Sequence, residues 1–282
     1  MDSASPLHAL FEEAAPDFAI GLRAIDPAAW LQGGERDPSL RKDAVLAGHP
    51  TIVWGEIAAS RPGQEEVLAL IAATAAVKGR YDLPPLLRAA RCVPDDLCLM
   101  EMRGGAWRLA ALSLSSPTFF TAAEVLGKSL AELHAPVPAF AERFLSRIER
   151  IFTGLRPGLI LERRNWTLVN SEKLFAPDPT PIRARIAEIA AEDAGARLYI
   201  RSERQTLRRL PVTGGALFTI RVSLWPLESL RADSELLAAF ARAWRGASIG
   251  FRAYKKLHLY DALVAAFLRA SGENASIRAA PA

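Results

Sequence analysis

Alternating hydrophobic and polar positions predict β-strands in the second half of the chain. Residues 216–225 read "ALFTIRVSLW", and their apolar side chains recur at every second position, the spacing of a half-buried strand. Segments 159–169 and 197–210 are also predicted to be strands. Gly214-Gly215 predicts a turn between segment 197–210 and segment 216–225. Earlier, "LCLMEM" and "AWRLAALSL" flank Arg103-Gly104-Gly105, which is a hairpin signal. These segments predict a mostly antiparallel sheet.

Helical patterns lie between these strands. Glu65 and Glu66 precede an apolar run to residue 77, as acids do at a helix start. Thr121 and Glu124 have the spacing of a capping box at the start of "TAAEVLGKSLAELH". Apolar residues of the next segment recur at helical spacing: Phe140, Phe144, Ile148, Ile151 and Phe152. A short acidic helix is expected over 182–192, and helices are expected over 233–269.

The first 50 residues contain five prolines, so they predict extended and turn structure in an arm laid over the core. Residues 51–57 are expected to form a strand. The resulting prediction is an α+β fold with an antiparallel sheet flanked by helices. Three parts are predicted: an N-terminal arm (1–50), a central domain (51–230) and a C-terminal helical segment (231–282).

Composition narrows the classes of partner. A hydrophobic content of 50% supplies a core, and a net charge of +4 without a lysine-rich run argues against a nucleic-acid partner. The start of the chain carries acids where an export signal needs basic residues, and the apolar run 67–77 is too short to cross a bilayer. We therefore expect a cytoplasmic protein with no membrane partner.

The stretch "RSERQTLRRLP" (201–211) is unusually rich in arginine. On a strand, Arg201 and Glu203 would share one face, and Arg204 would lie on the other. This segment is either a solvated strand with weak surface ion pairs or the polar wall of a ligand cavity. In a cavity, the arginines would pair with ligand carboxylates, and Glu203 would stay ionised as a charge anchor or proton acceptor.

His134 occupies a corner between two predicted helices, because Pro136 and Pro138 prevent simple continuation of the first. A histidine there either interacts favourably with the helix dipole or presents an axial ligand to haem iron. The other histidines have weaker claims: His8, His49 and His258.

A third motif is "RRNW", in which Asn165 and Trp166 lie on a predicted strand. Trp166 is either a core residue or the flat apolar wall of a pocket to which Asn165 adds an amide. The sequence contains no GxGxxG, GxxxxGK[ST], GxSxG or HExxH motif, so nucleotide-binding, hydrolase and zinc-protease interpretations lack their residues.

Together, "LHAPVP" (133–138), "RRNW" (163–166), the arginine stretch and "ALFTIR" (216–221) resemble the haem-dependent oxidative N-demethylase family. The resemblance covers residues 20–230. It implies a subunit that binds haem b in a PAS-like fold, with an antiparallel sheet and helices on one side. It also implies removal of a methyl group from a small secondary amine such as dimethylamine, releasing formaldehyde. Electrons would come from NADPH through partner subunits that carry FMN and an iron–sulfur cluster.

The resemblance implies roles for particular residues. His134 would be the proximal iron ligand, leaving the opposite axial position for dioxygen. Arg201 and Glu203 would line the polar side of the haem pocket, with secondary contributions from Arg204, Arg208, Asn165 and Trp166.

Two alternatives share these residues. One is a non-catalytic haem-binding PAS-like sensor or gas-binding protein, and the other is a scaffold that keeps the fold and binds a different anion. A homo-oligomer is compatible with each alternative.

Overall fold

The computed structural model describes residues 7–11, 17–31, 34–35, 37–77 and 79–273. Its sheet has seven strands in the order β1-β5-β6-β7-β3-β4-β2, and every neighbouring pair is antiparallel. The strands are β1 (Arg23–Ile25), β2 (Trp54–Glu56), β3 (Asp96–Arg103), β4 (Ala106–Ser113), β5 (Ile160–Val169), β6 (Tyr199–Arg209) and β7 (Ala216–Pro226).

Most helices are short and lie between the strands. They are α1 (His8–Phe11), α2 (Ser39–Gly48), α3 (Pro50–Val53), α4 (Arg61–Ala72), α5 (Pro85–Ala90), α6 (Ala122–Val125), α7 (Leu130–His134), α8 (Ser146–Gly154), α9 (Thr180–Arg183), α10 (Ala194–Arg197), α11 (Ser234–Gly246), α12 (Ile249–Lys255) and α13 (Asp261–Ala270). A π-helical turn over Ala141–Leu145 precedes α8.

Local sequence explains several of these boundaries. Gly104 and Gly105 both have positive φ (57° and 78°), which makes the predicted turn between β3 and β4 possible at low cost. The predicted capping box of Thr121 and Glu124 is formed, but its helix is only α6. Ser129 and Glu132 form a second capping box that starts α7. The predicted single helix is therefore two helices, separated at Gly127, which has a φ of 79°.

The sheet has two faces, named here for the two β6 residues at their centres. Asn165, Glu203 and Val222 are cross-strand neighbours on the Glu203 face, and Arg164, Arg204 and Arg221 are neighbours on the Arg204 face. Helices cover both faces, so the expectation of helices on one side is wrong. α7 and α8 pack on the Glu203 face, while α4, α5 and the C-terminal helices pack on the Arg204 face.

Three local predictions also fail. The predicted arm contains the ten-residue helix α2 and the strand β1, which pairs with β5. Residues 50–53 are helical, so only Trp54–Glu56 of the predicted strand over 51–57 pairs with β4. The acidic stretch 182–192 forms short 3₁₀ turns rather than one helix. The predicted arm and C-terminal segment also include residues outside the described ones, 274–282 among them.

The α+β class and the antiparallel sheet with flanking helices are confirmed. The PAS-like label and the division at residues 50 and 230 stay predictions. No helix in the described part of the chain has the length and apolar character needed to cross a membrane.

Candidate functional site

Glu203 lies at the centre of a polar group on the Glu203 face. It accepts hydrogen bonds from Thr118 Oγ1 at 2.8 Å, Gln205 Nε2 at 2.8 Å and Asn165 Nδ2 at 3.4 Å. Among the described residues, no cation lies within ion-pair distance of this carboxylate. The acid is therefore held by neutral groups rather than by the arginines of its own strand.

The pKa of Glu203 lies below its ordinary value. Burial raises this pKa, but the Lys255 charge, the Thr118 hydrogen bond and the Arg201 charge together outweigh burial. The carboxylate is consequently ionised at neutral pH. A half-buried anion with neutral hydrogen-bond partners can attract a cationic ligand.

Arg201 is a positioning residue in this structure. Its side chain is buried, and its terminal nitrogens donate to the carbonyl oxygens of Ser116, Pro117, Lys173 and Leu174. Its Nε donates to Thr118 Oγ1 at 3.0 Å, and Thr118 in turn donates to Glu203. Because backbone carbonyls occupy its guanidinium, Arg201 holds two loops against the sheet and acts on Glu203 through Thr118.

His134 ends α7 with one ring nitrogen fixed and the other available. Nδ1 lies 2.8 Å from the carbonyl oxygen of Leu130, which can only accept, so Nδ1 carries the proton and Nε2 has the lone pair. The ring stacks on Phe140 with centroids 4.2 Å apart and planes at 5°. Burial lowers the pKa of His134, and the Arg163 charge lowers it further. A neutral, oriented imidazole of this kind is suited to bind a metal through Nε2.

Arg163 connects His134 electrostatically with Glu203. It lies beside Gln205 on the Glu203 face, and its buried Nε has no hydrogen-bond partner in the described part of the protein. Burial lowers the pKa of Arg163 and the Glu203 charge raises it, while an arginine remains charged under either influence. The motif "RRNW" contained this residue, but its role depends on strand register, which the motif does not reveal.

Lys255 was missed entirely by the sequence interpretation. It ends α12, and its Nζ lies 5.6 Å from the Tyr254 ring centroid and 5.9 Å from that of Phe251. Burial lowers its pKa, and the Glu203 charge raises it. More than fifty residues separate Lys255 from Glu203, so no local pattern predicted that their charges would interact.

An apolar cluster lies on the same face as this group, and it includes Phe140, which stacks on the His134 ring. The residues share partial burial and packing against the core of the Glu203 face: Leu133, Val137, Phe144, Leu161, Phe218 and Ile220. Beside Leu161, an open groove of about 500 Å³ lies between α8 and β5, bordered by Arg147 and Arg150. Its volume is within the range of small-molecule sites.

Three predicted cofactor residues lie on the Arg204 face instead. Arg204 donates to Glu162 at 2.5 Å and to the carbonyl oxygens of Trp30 and Ala29, each at 2.7 Å. Arg208 lies over the Trp30 ring at 4.3 Å. Trp166 is buried against the rings of Phe11, Phe240 and Phe251. These residues attach the N-terminal segment and the C-terminal helices to the sheet, and we leave them out of the candidate site.

The donor set suits haem better than a metal ion held by protein alone. The described residues contain no group of three or more His, Cys, Asp or Glu side chains arranged for a metal. Haem supplies four nitrogen ligands to its own iron. It needs from the protein an axial side chain, an apolar surface and cations that pair with its propionates. His134 Nε2, the half-buried apolar residues and the unpartnered Nε of Arg163 match these needs.

One comparison with known proteins bears on this site. A family model described as haem-dependent oxidative N-demethylase, alpha subunit-like, matches residues 60–265 of the 282-residue chain. The matched region includes His134, Arg163, Glu203 and Lys255. The region that carries the candidate site is thus the region shared with the family.

Proposed function

Because the chain belongs to the haem-dependent oxidative N-demethylase, alpha subunit-like family, we propose that it is the haem-binding subunit of an amine monooxygenase. The proposed substrate is a small secondary amine such as dimethylamine. The balanced reaction converts dimethylamine, dioxygen, NADPH and a proton into methylamine, formaldehyde, water and NADP⁺. The two electrons would pass through FMN and an iron–sulfur cluster on partner subunits, in the cytoplasm.

One observation carries this proposal: the hydrogen bond from His134 Nδ1 to the Leu130 carbonyl oxygen leaves Nε2 with a lone pair for a metal. The charge of Arg163, which lowers the pKa of His134 and also interacts with the ionised Glu203, links this imidazole to the acid. His134 would bind haem b through Nε2, with Leu130 fixing the ring orientation. The haem, when bound, supplies dioxygen activation at its iron. The half-buried side chains of Leu133, Val137 and Phe144 would exclude water from its apolar surface.

Glu203 would hold the substrate. A small secondary amine is protonated at neutral pH, and the Glu203 carboxylate can accept hydrogen bonds from the ammonium group. A lowered pKa makes Glu203 a weak base, so we assign it as a charge anchor rather than as the proton acceptor. Asn165, Gln205 and Thr118 fix the carboxylate while leaving its charge unneutralised.

The proposal is tested by supplying the haem-loaded protein with NADPH and a flavin/iron–sulfur reductase and measuring formaldehyde formed from dimethylamine. Glu203→Gln should keep its haem and raise the KM for dimethylamine by about 10- to 100-fold, since a hydrogen bond to a charged group is lost. Glu142→Gln changes an exposed acid and should match the wild type. The haem-loaded wild type could instead form no formaldehyde and show no change in its spectrum when dimethylamine is added. That result would fit a sensor or gas-binding protein.

A further inference from the structure

The Glu203 face has more positive charge near Glu203 than its own residues neutralise. The charge of this single acid raises the pKa of Arg163, of Arg201 and of Lys255, so all three cations interact with it. The terminal nitrogens of Arg201 donate their hydrogen bonds to backbone carbonyl oxygens. Arg163 and Lys255 have no hydrogen bond or ion pair to any residue that the structure describes. Both residues are partly buried, and Lys255 has only the Tyr254 and Phe251 rings beside its Nζ, so the loss of water is poorly compensated for these cations.

The opposite side of the same strands is neutralised in a different way. Arg204 and Arg164 bind Glu162, and Arg221 binds Asp95 at 2.5 Å. Three arginines on the Arg204 face of β5, β6 and β7 are therefore paired with acids. The fourth, Arg208, lies over the Trp30 ring, and its buried Nε has no hydrogen-bond partner among the described residues. Arg163 and Lys255 also lack an acid partner among the described residues, and, unlike Arg208, their charges interact with the charge of the proposed substrate anchor.

We propose that Arg163 and Lys255 form a binding site for the carboxylates of a bound ligand. The assignment rests on the proposed function, and it moves acid recognition from the predicted arginines Arg204 and Arg208 to the Glu203 face. Ligand carboxylates would offset the mutual repulsion of the two cations and satisfy the Arg163 Nε. With those charges balanced, Glu203 keeps its negative charge for the amine.

Two ligands carry the required carboxylate: haem, through its propionates, and an amine substrate that is also an acid, such as N-methylglycine. The first arm of the test measures binding of haem and of haem dimethyl ester, whose propionates are blocked, by titration at the Soret band. The wild type should prefer haem by about tenfold or more. Arg163→Gln and Lys255→Gln should each reduce this preference, and the double variant should abolish it.

Matched controls separate this site from general charge effects. Arg164→Gln changes the neighbouring arginine on the other face, and Lys256→Gln changes the neighbouring exposed lysine. Both controls should keep the wild-type preference for haem over its ester. Arg163→Lys, which retains the charge, should keep part of it, and circular dichroism of each variant establishes that it is folded.

The second arm titrates the haem-loaded proteins with N-methylglycine and with dimethylamine. If the variants keep the wild-type preference for haem over its ester and keep their affinity for dimethylamine, but lose affinity for N-methylglycine, the carboxylate belongs to the substrate. The assignment then holds. If the variants match the wild type both in their preference for haem over its ester and in their affinity for N-methylglycine, the assignment is overturned. Haem binding and the proposed function then still stand. If the wild type binds neither porphyrin, the proposed function fails and this assignment fails with it.

Discussion

At the scale of single residues, the site depends on which neighbours are charged and which are neutral. The sequence led us to expect Glu203 ionised among arginines, and its pKa is indeed lowered. The direct partners, however, are a hydroxyl and two amides. Thr118 matters most among them, because it receives a bond from Arg201 and gives one to Glu203. No sequence motif indicated Thr118, which lies 85 residues from Glu203.

Thr118→Val should raise the pKa of Glu203, because the carboxylate loses a hydrogen bond that favours its ionised form. The carboxylate then becomes protonated at a higher pH. When the pH is lowered, the haem-loaded variant should therefore lose its affinity for dimethylamine before the haem-loaded wild type does. Thr118→Ser keeps the hydroxyl and should follow the wild-type profile. Identical profiles for all three proteins would show that Thr118 does not tune the anchor.

At the scale of elements, pairing across the sheet decides which residues meet. The hairpin at Gly104-Gly105 and the strands β5, β6 and β7 were predictable, because turn residues and alternating side chains specify them locally. The first 50 residues were not, because their structure depends on distant partners. Trp30 donates to Thr206, and its carbonyl oxygen accepts from Arg204. No local pattern in the first 50 residues predicts those contacts.

Arg204→Leu should destabilise the fold by about 3–5 kcal/mol, because it leaves the buried Glu162 carboxylate with weaker partners and two backbone carbonyls without donors. Denaturant unfolding of the haem-free protein measures this change. Arg164→Leu removes a more exposed partner of Glu162 and should cost less. Equal stability of Arg204→Leu and the wild type would contradict a structural role and reopen its prediction as a haem contact.

At the scale of the whole molecule, the C-terminal helices complete the site. β1 pairs only with residues 160–162 of β5, so the rest of β5 has one neighbour among the described strands, β6. α12 lies at this edge: Phe251 contacts Trp166 on the Arg204 face, while the Lys255 charge acts on Glu203. The sequence predicted helices there and the polar strand separately. It did not predict that they meet, because register and helix placement are tertiary properties.

Another long-range contact makes global stability depend on pH. Lys42 of α2 is buried, donates to the Asp95 carbonyl oxygen at 2.5 Å, and has its pKa lowered by burial to about 8. Between pH 8 and the ordinary lysine pKa, the unfolded chain binds a proton that the folded protein does not, so stability rises with pH. From pH 8 to about pH 9.5 the gain from Lys42 should be about 1–2 kcal/mol.

Lys42→Met removes this group, so the difference in unfolding free energy between the wild type and the variant isolates it. Lys255, whose pKa is also lowered by burial, is present in both proteins and cancels. The difference should change in favour of the wild type as the pH rises. A difference that stays constant over this range would mean that Lys42 titrates normally.

The central claim is that His134 binds haem iron. The most direct measurement is the optical and electron paramagnetic resonance spectrum of the haem-loaded ferric protein, compared with His134→Ala and with His258→Ala, which changes an exposed histidine. We predict one haem per chain with a histidine-ligated spectrum in the wild type and in His258→Ala. His134→Ala should lose this spectrum and regain it when imidazole is added. An unchanged spectrum in His134→Ala would contradict the account.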